Sequence, residues 1–335
     1  MRAWERWLPE ITLTVMVGIP SAFSLVIYYS GGIVVWALSV IWGIATLSAV
    51  LLPGIVRRSG EDWRKMLRLF LGLGLVLGVF SIFTGLGNNA TDEPVGIVGY
   101  LNEYLHGQDP YTTLFSQTYT VHILNIWSNT VTTSSYYTYL PLAPFVQIPG
   151  TGVLGYELLC LGCWAGTVYI LRNDQFAGLV LASPVVALLA SNGFTDLPLI
   201  ALMTLSLRGW TGPKAKAVEY LTYGMKQFAN VFWVAYYILK KDLLQCGIVI
   251  LLTVLIALPF VFWHPTGIWC EALTFSLGPG CTTAPNSMRQ LSDLYSHWNY
   301  YLWILWVYAL FHGWINTTVR SGIARLRGPV RAIGP

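Results

Sequence analysis

The sequence predicts an all-α, polytopic transmembrane helical bundle, and three observations carry that prediction. Hydrophobic residues make up 55% of the 335 positions and charged residues only 10%, whereas a soluble domain needs about 25% charged residues to solvate its surface. Mean hydropathy is +0.58, and the apolar residues fall in runs of bilayer-spanning length. The 15 Trp and 19 Tyr suit the interfacial belts of membrane proteins. The net charge of +4 is not a nucleic-acid surface, because the basic residues sit in short clusters between the apolar runs.

The spans follow in order as Ile11–Tyr29, Gly32–Pro53, Met66–Leu86, Gly152–Leu171, Gln175–Ala190, Leu243–Trp263 and Trp298–Ile315. Leu197–Leu207 is short for a crossing and is expected to begin inside a protein cavity. Arg2 and Arg6 precede a first run that leads straight into a second, which is not the pattern of a cleaved signal peptide. Basic clusters stay on the cytoplasmic side. Placing Arg57–Lys65, Arg172 and Lys214 there puts the polar loop of residues 88–150 outside, with both termini in the cytoplasm of a plasma-membrane protein. The chain reads as one multi-pass membrane domain over residues 1–335, with a second outer loop at 264–297.

The segment 217–239 breaks this parity if it crosses once, because Lys240 and Lys241 would then lie outside. A broken hairpin that enters and leaves from the cytoplasm restores the rule. Its middle is Gly224-Met225-Lys226-Gln227, which puts Lys226 at the deep tip. Irregular backbone at that depth is tolerated only against protein or a wet cavity, and a lysine there is a functional candidate. Of the 19 basic residues, Lys226 and Arg289 alone fall outside the cytoplasmic clusters.

The five cysteines have no zinc spacing. Cys160 and Cys163 lie one helical turn apart in a span and read as apolar packing. Cys270 and Cys281 share an outer loop and could form a disulfide. GxxxxGK[ST] does not occur, and the histidines lack metal-ligand spacing.

Asp92 and Glu93 follow a span directly and stand at the membrane–water boundary. A carboxylate there can take a proton from a hydroxyl or hold a cation. A solvated loop start, with Pro94 opening a helix, explains them too. Lys226 and Arg289 could balance a phosphate, which at low dielectric needs such partners. Alternatively, Lys226 could snorkel and Arg289 could be a plain loop charge near Asp293.

Several segments in collinear order resemble the GT-C superfamily of membrane glycosyltransferases, and within it the polyprenyl-phosphate-mannose-dependent mannosyltransferases of bacteria and archaea. They are Thr91-Asp92-Glu93, then Tyr100, then Gly107-Gln108-Asp109-Pro110-Tyr111, and Tyr139-Leu140-Pro141-Leu142-Ala143-Pro144. Asn192-Gly193-Phe194-Thr195-Asp196, Gly224-Met225-Lys226-Gln227-Phe228 and Leu258-Pro259-Phe260 come next. The match runs from Thr91 to about Leu277. It departs from the family in having Ala229-Asn230 where a proline is usual after the hairpin lysine, three spans rather than one before the acidic pair, and a short total length.

The resemblance implies an inverting transfer of a sugar, mannose in the family, from a polyprenyl-phosphate donor to a glycan or glycolipid acceptor. Asp92 would be the general base and Glu93 would orient the acceptor or a hydrated cation. Lys226 and Arg289 would bind the donor phosphate. Tyr100, Asp109, Tyr111, Tyr139 and Asp196 would contact substrate. No cofactor is implied beyond a divalent cation that could sit at Asp92 and Glu93. Two other readings use the same residues: a transporter or flippase of a lipid-linked or polar solute, and a non-catalytic subunit of an envelope assembly complex. The missing internal repeat speaks against the first. The second leaves the pairing of Asp92 with Lys226 unexplained.

Overall fold

A computed structural model of the chain describes residues 62–84, 93–108, 111, 115–123, 127–135, 140–146, 152–191, 193, 196–263, 268 and 298–326, with single positions at 51 and 55. The expected spans Ile11–Tyr29 and Gly32–Pro53, apart from Leu51, lie outside the described residues. The same holds for Cys270, Cys281 and nearly all of the second outer loop.

The described chain is predominantly helical. It runs α1 (Trp63–Thr84), α2 (Glu93–Leu105), strands β1 (Phe115–Ile123) and β2 (Trp127–Ser135), α3 (Ala143–Val146), α4 (Gly152–Ile170), α5 (Gln175–Leu181), α6 (Pro184–Ser191) and α7 (Asp196–Thr204). A π-turn at Leu205–Gly209 leads into α8 (Pro213–Thr222), α9 (Gln227–Lys240), α10 (Leu243–Trp263) and α11 (Trp298–Leu326). Among the described residues, α1, α4 and α10 are long and apolar enough to cross a membrane. Their ranges match the expected spans at those positions to within three residues.

Burial separates the roles of these helices. Only 17% of the α10 apolar window is buried, against 39% for α4. Leu243, Leu244, Ile250, Leu251, Val254 and Phe262 of α10 stand exposed, as do Leu69, Val76, Phe80 and Phe83 of α1. A soluble surface rarely carries contiguous apolar patches of this size, and lipid is the medium that suits them. By contrast Leu197, Leu199, Ile200 and Met203 of α7 are all buried. A helix buried all round is a core helix, so α7 sits inside the bundle.

Close backbone approach joins α1 to that core. A side chain on Gly74 would come within 2.6 Å of the Trp164 ring on α4 and 2.9 Å of Ala187 on α6. One on Gly78 would meet Leu161 at 2.6 Å. The two glycines are four residues apart and form a small-xxx-small face, which lets membrane helices pack closely.

Two expectations are corrected here. The run Gln175–Ala190 is not one span but two short helices, α5 and α6, broken ahead of Pro184. Proline has no N–H to donate and pushes its predecessor out of helical geometry. The break leaves helix-end carbonyls in need of donors, and the Trp164 indole N–H supplies the one at Leu181, at 2.7 Å. The second correction concerns the segment 88–150, where an all-α reading leaves out an antiparallel pair. β1 and β2 are nine residues each, with Phe115 opposite Ser135 and Ile123 opposite Trp127. Threonine, valine and aromatic residues fill both runs, which suits a pleated strand.

Three side-chain bonds show that α7 and α11 lie side by side and run in the same direction. Trp303 bonds Asp196, Trp306 donates to Thr204 at 2.8 Å, and Arg208 donates to the Leu310 carbonyl at 2.9 Å. Both numbers of each pair rise together.

Candidate functional site

The arms α8 and α9 form an antiparallel helical hairpin. Trp233 Nε1 donates to Thr222 Oγ1 at 2.8 Å, and Tyr237 of the second arm donates to Glu219 of the first. The connection is Tyr223–Lys226. Lys226 itself is extended (φ −152°, ψ 143°) and immediately precedes α9. Helix α10 then runs back along α9 after a left-handed Lys241 (φ 60°), with Cys246 Sγ near the Val234 carbonyl at 3.7 Å.

Lys226 is buried, and so is its partner Asp196, the first residue of α7. The ammonium lies 2.8 Å from Oδ1 and 3.0 Å from Oδ2 of Asp196. Trp303 Nε1 donates to Oδ1 at 2.6 Å. Two charges removed from water must be paired and hydrogen-bonded to persist, and this pair meets both conditions. The N-terminus of α7 adds its partial positive charge to the carboxylate.

The segment between β2 and α4 sits directly on the hairpin connection. The Leu142 N–H donates to the Gly224 carbonyl at 2.8 Å. Gly224 has no room for a side chain, which would lie 2.5 Å from Leu142 and 2.9 Å from Ile256. One helical turn beyond Ile256, on the same face of α10, Phe260 joins an aromatic cluster. Its ring lies 6.3 Å from Tyr111 and 5.8 Å from Tyr104, and Tyr111 meets Tyr100 edge-on at 5.7 Å.

The expected site residues therefore divide into three groups. Lys226 and Asp196 come together directly. Tyr100 and Tyr111 pack behind the hairpin connection, 0% and 2% exposed, so neither presents an open ring face to a sugar in this structure. Glu93 is the first residue of α2, while Asp92, Asp109, Tyr139 and Arg289 lie outside the described residues. Among the described residues no three His, Cys, Asp or Glu side chains gather as a metal-ligand set.

Two features were not singled out from the sequence. Trp303 reads as one more belt aromatic in a run of Trp and Tyr, and its indole N–H only gains meaning beside Asp196. Glu219 reads as a charge on a basic, cytoplasmic stretch. It is buried, and it accepts hydrogen bonds from Tyr223 and Tyr237 together with Lys216, whose Nζ lies 3.2 Å from Oε1 and 3.1 Å from Oε2. Lys216 also reaches Tyr237 and, at 3.4 Å, Gln245 Oε1 on α10. Glu157, a polar residue inside the α4 span, is buried as well.

No family model matches this chain, and no curated protein or solved structure matches it either.

Proposed function

We propose that the protein is a GT-C-like membrane glycosyltransferase that moves a sugar, mannose by the family resemblance, from a polyprenyl-phosphate donor to a glycan or glycolipid acceptor. Transfer takes place on the extracytoplasmic face of the plasma membrane, with both termini in the cytoplasm. The observation that supports this reading best is the buried Lys226, fixed by Asp196 and Trp303 in the break of a hairpin that the outer loop contacts through Leu142. By helical rise, α9 places Lys226 about 20 Å from Lys240, roughly two thirds of the way through a hydrocarbon core of about 30 Å. A lysine at that depth meets a lipid-linked phosphate near the far leaflet.

In the proposed reaction an acceptor hydroxyl oxygen attacks the anomeric carbon from the face opposite the phosphate. The new C–O bond forms as the bond between that carbon and the phosphate oxygen breaks, which inverts the centre. The bonding pair leaves with the phosphate, and the hydroxyl proton passes to Asp92. Glu93 orients the acceptor. Lys226, joined by Arg289, stabilises the charge that collects on the departing phosphate. Asp109 and Tyr139 contact the sugars.

The test supplies purified protein with radiolabelled polyprenyl-phosphate mannose and membrane-derived acceptors. Label should move to the acceptor with wild type and not with Asp92→Asn or Lys226→Ala. Full transfer by folded Asp92→Asn would remove the base from this scheme. A transporter reading gains some support from the two discontinuous elements, α5–α6 and α8–α9, because broken helices build transporter sites. Label that crosses sealed vesicles without joining an acceptor would favour it.

A further inference from the structure

Resting on that reading, we propose that Asp196 sets the charge selectivity of the site, disfavouring the phosphomonoester left after transfer relative to the phosphodiester donor. Asp196 is held independently of Lys226: its carboxylate begins α7 and accepts the Trp303 indole N–H at 2.6 Å. It therefore stays in place when the ammonium turns to a ligand. Nζ lies 2.8 Å from the carboxylate, so a phosphate oxygen in hydrogen-bond contact with the same ammonium comes to rest about 5 Å from Asp196. Both side chains are buried, at 7% and 0% exposure, so solvent screens the repulsion only weakly.

That repulsion scales with the charge on the ligand. A phosphodiester carries one negative charge, while a phosphomonoester carries close to two above its second pKa of about 6. Lys226 alone would favour the doubly charged species, and a lipid-bound product of that kind would block the site. Asp196 offsets the preference at the second charge, so the spent carrier is released once the sugar has left. The acid thereby contributes to turnover without touching the acceptor or the proton in flight.

The experiment measures binding of two probes to the full-length protein in detergent at pH 8: a polyprenyl phosphate, and the methyl phosphodiester of the same polyprenol. Neither probe carries a sugar, and the change in their affinity ratio between wild type and an Asp196 variant reports the charge at that position. In Asp196→Asn the ratio should shift towards the monoester by at least ~10-fold, whereas Asp196→Glu, which keeps the charge, should hold the wild-type ratio. Asp196→Ser, another residue favoured at helix starts, replaces the Asn variant if melting curves show that one misfolded. An unchanged ratio in the folded neutral variant overturns the inference. Binding with the shifted ratio but no sugar transfer leaves charge selection standing and removes the transferase. Failure of wild type to bind either probe removes both.

Discussion

Lys226 is the residue on which the site depends, and its energetics separate a structural role from a functional one. Removing one member of a buried ion pair strands the other and costs about 3–5 kcal/mol, while replacing both by apolar residues is often neutral. Lys226→Met alone should therefore lower the melting temperature of the detergent-solubilised protein. The double variant Lys226→Met/Asp196→Leu should recover part of that loss, short of the whole because it also takes away the acceptor of the Trp303 indole N–H, and should still transfer no sugar. If the double variant retained activity, the pair would be packing and nothing more. Lys226 stood out in the sequence because charge accounting left it no cytoplasmic place. Its partnership with Asp196 was not legible, since the two are 30 positions apart and meet only through helix–helix packing. Trp303 was hidden for a different reason: an indole at a membrane interface needs no special explanation.

At the scale of elements, the hairpin keeps its shape through the carboxylate of Glu219. That group receives the hydroxyl of Tyr223, at the start of the connection, that of Tyr237 on the returning arm, and also Lys216. Glu219→Ala would leave two tyrosine hydroxyls at the arms without this acceptor. At about 1–3 kcal/mol for each buried group left unsatisfied, the loss should be several-fold larger than for Glu219→Gln, which keeps an acceptor oxygen. Thermal melts of the two variants measure the difference, and equal losses would mean that the arms are held elsewhere. The seam between α1 and α4 offers a second comparison on a single helix. Gly78→Val must drive into Leu161, whereas Gly72→Ala meets nothing within 4 Å. The first should destabilise by about 1–3 kcal/mol through overpacking, and the second should be neutral or slightly stabilising. Both glycines, like Pro184, are visible in the sequence inside apolar runs. Hydropathy averages over them, which is why the break at α5–α6 reads as one span. The β1–β2 pair escaped for the converse reason, because polar threonine-rich strands carry no strong hydropathy signal.

For the whole molecule, the described helices form two classes, and the contrast supports a membrane setting. α1 and α10 expose apolar faces, while α7, only nine residues long, is almost wholly enclosed. Elements too short to cross a bilayer are tolerated at membrane depth only when protein surrounds them, and α7 meets that condition. On the proposed orientation, α7 and α11 both enter from the outer face, consistent with their shared direction. The hairpin α8–α9 starts and ends at the inner face, where Lys214, Lys240 and Lys241 lie. This arrangement gives a test that is independent of any activity. In right-side-out vesicles of protein with Cys270 and Cys281 replaced by serine, a membrane-impermeant thiol reagent should label a cysteine in place of Asp109 and spare cysteines in place of Lys214 or Lys241. Permeabilised vesicles should label all three. External labelling of Lys241→Cys in intact vesicles would mean that the segment 217–239 crosses once. Lys226 would then no longer lie at the closed end of a re-entrant hairpin, and the depth argument that brings it to a lipid-linked phosphate would fail with it.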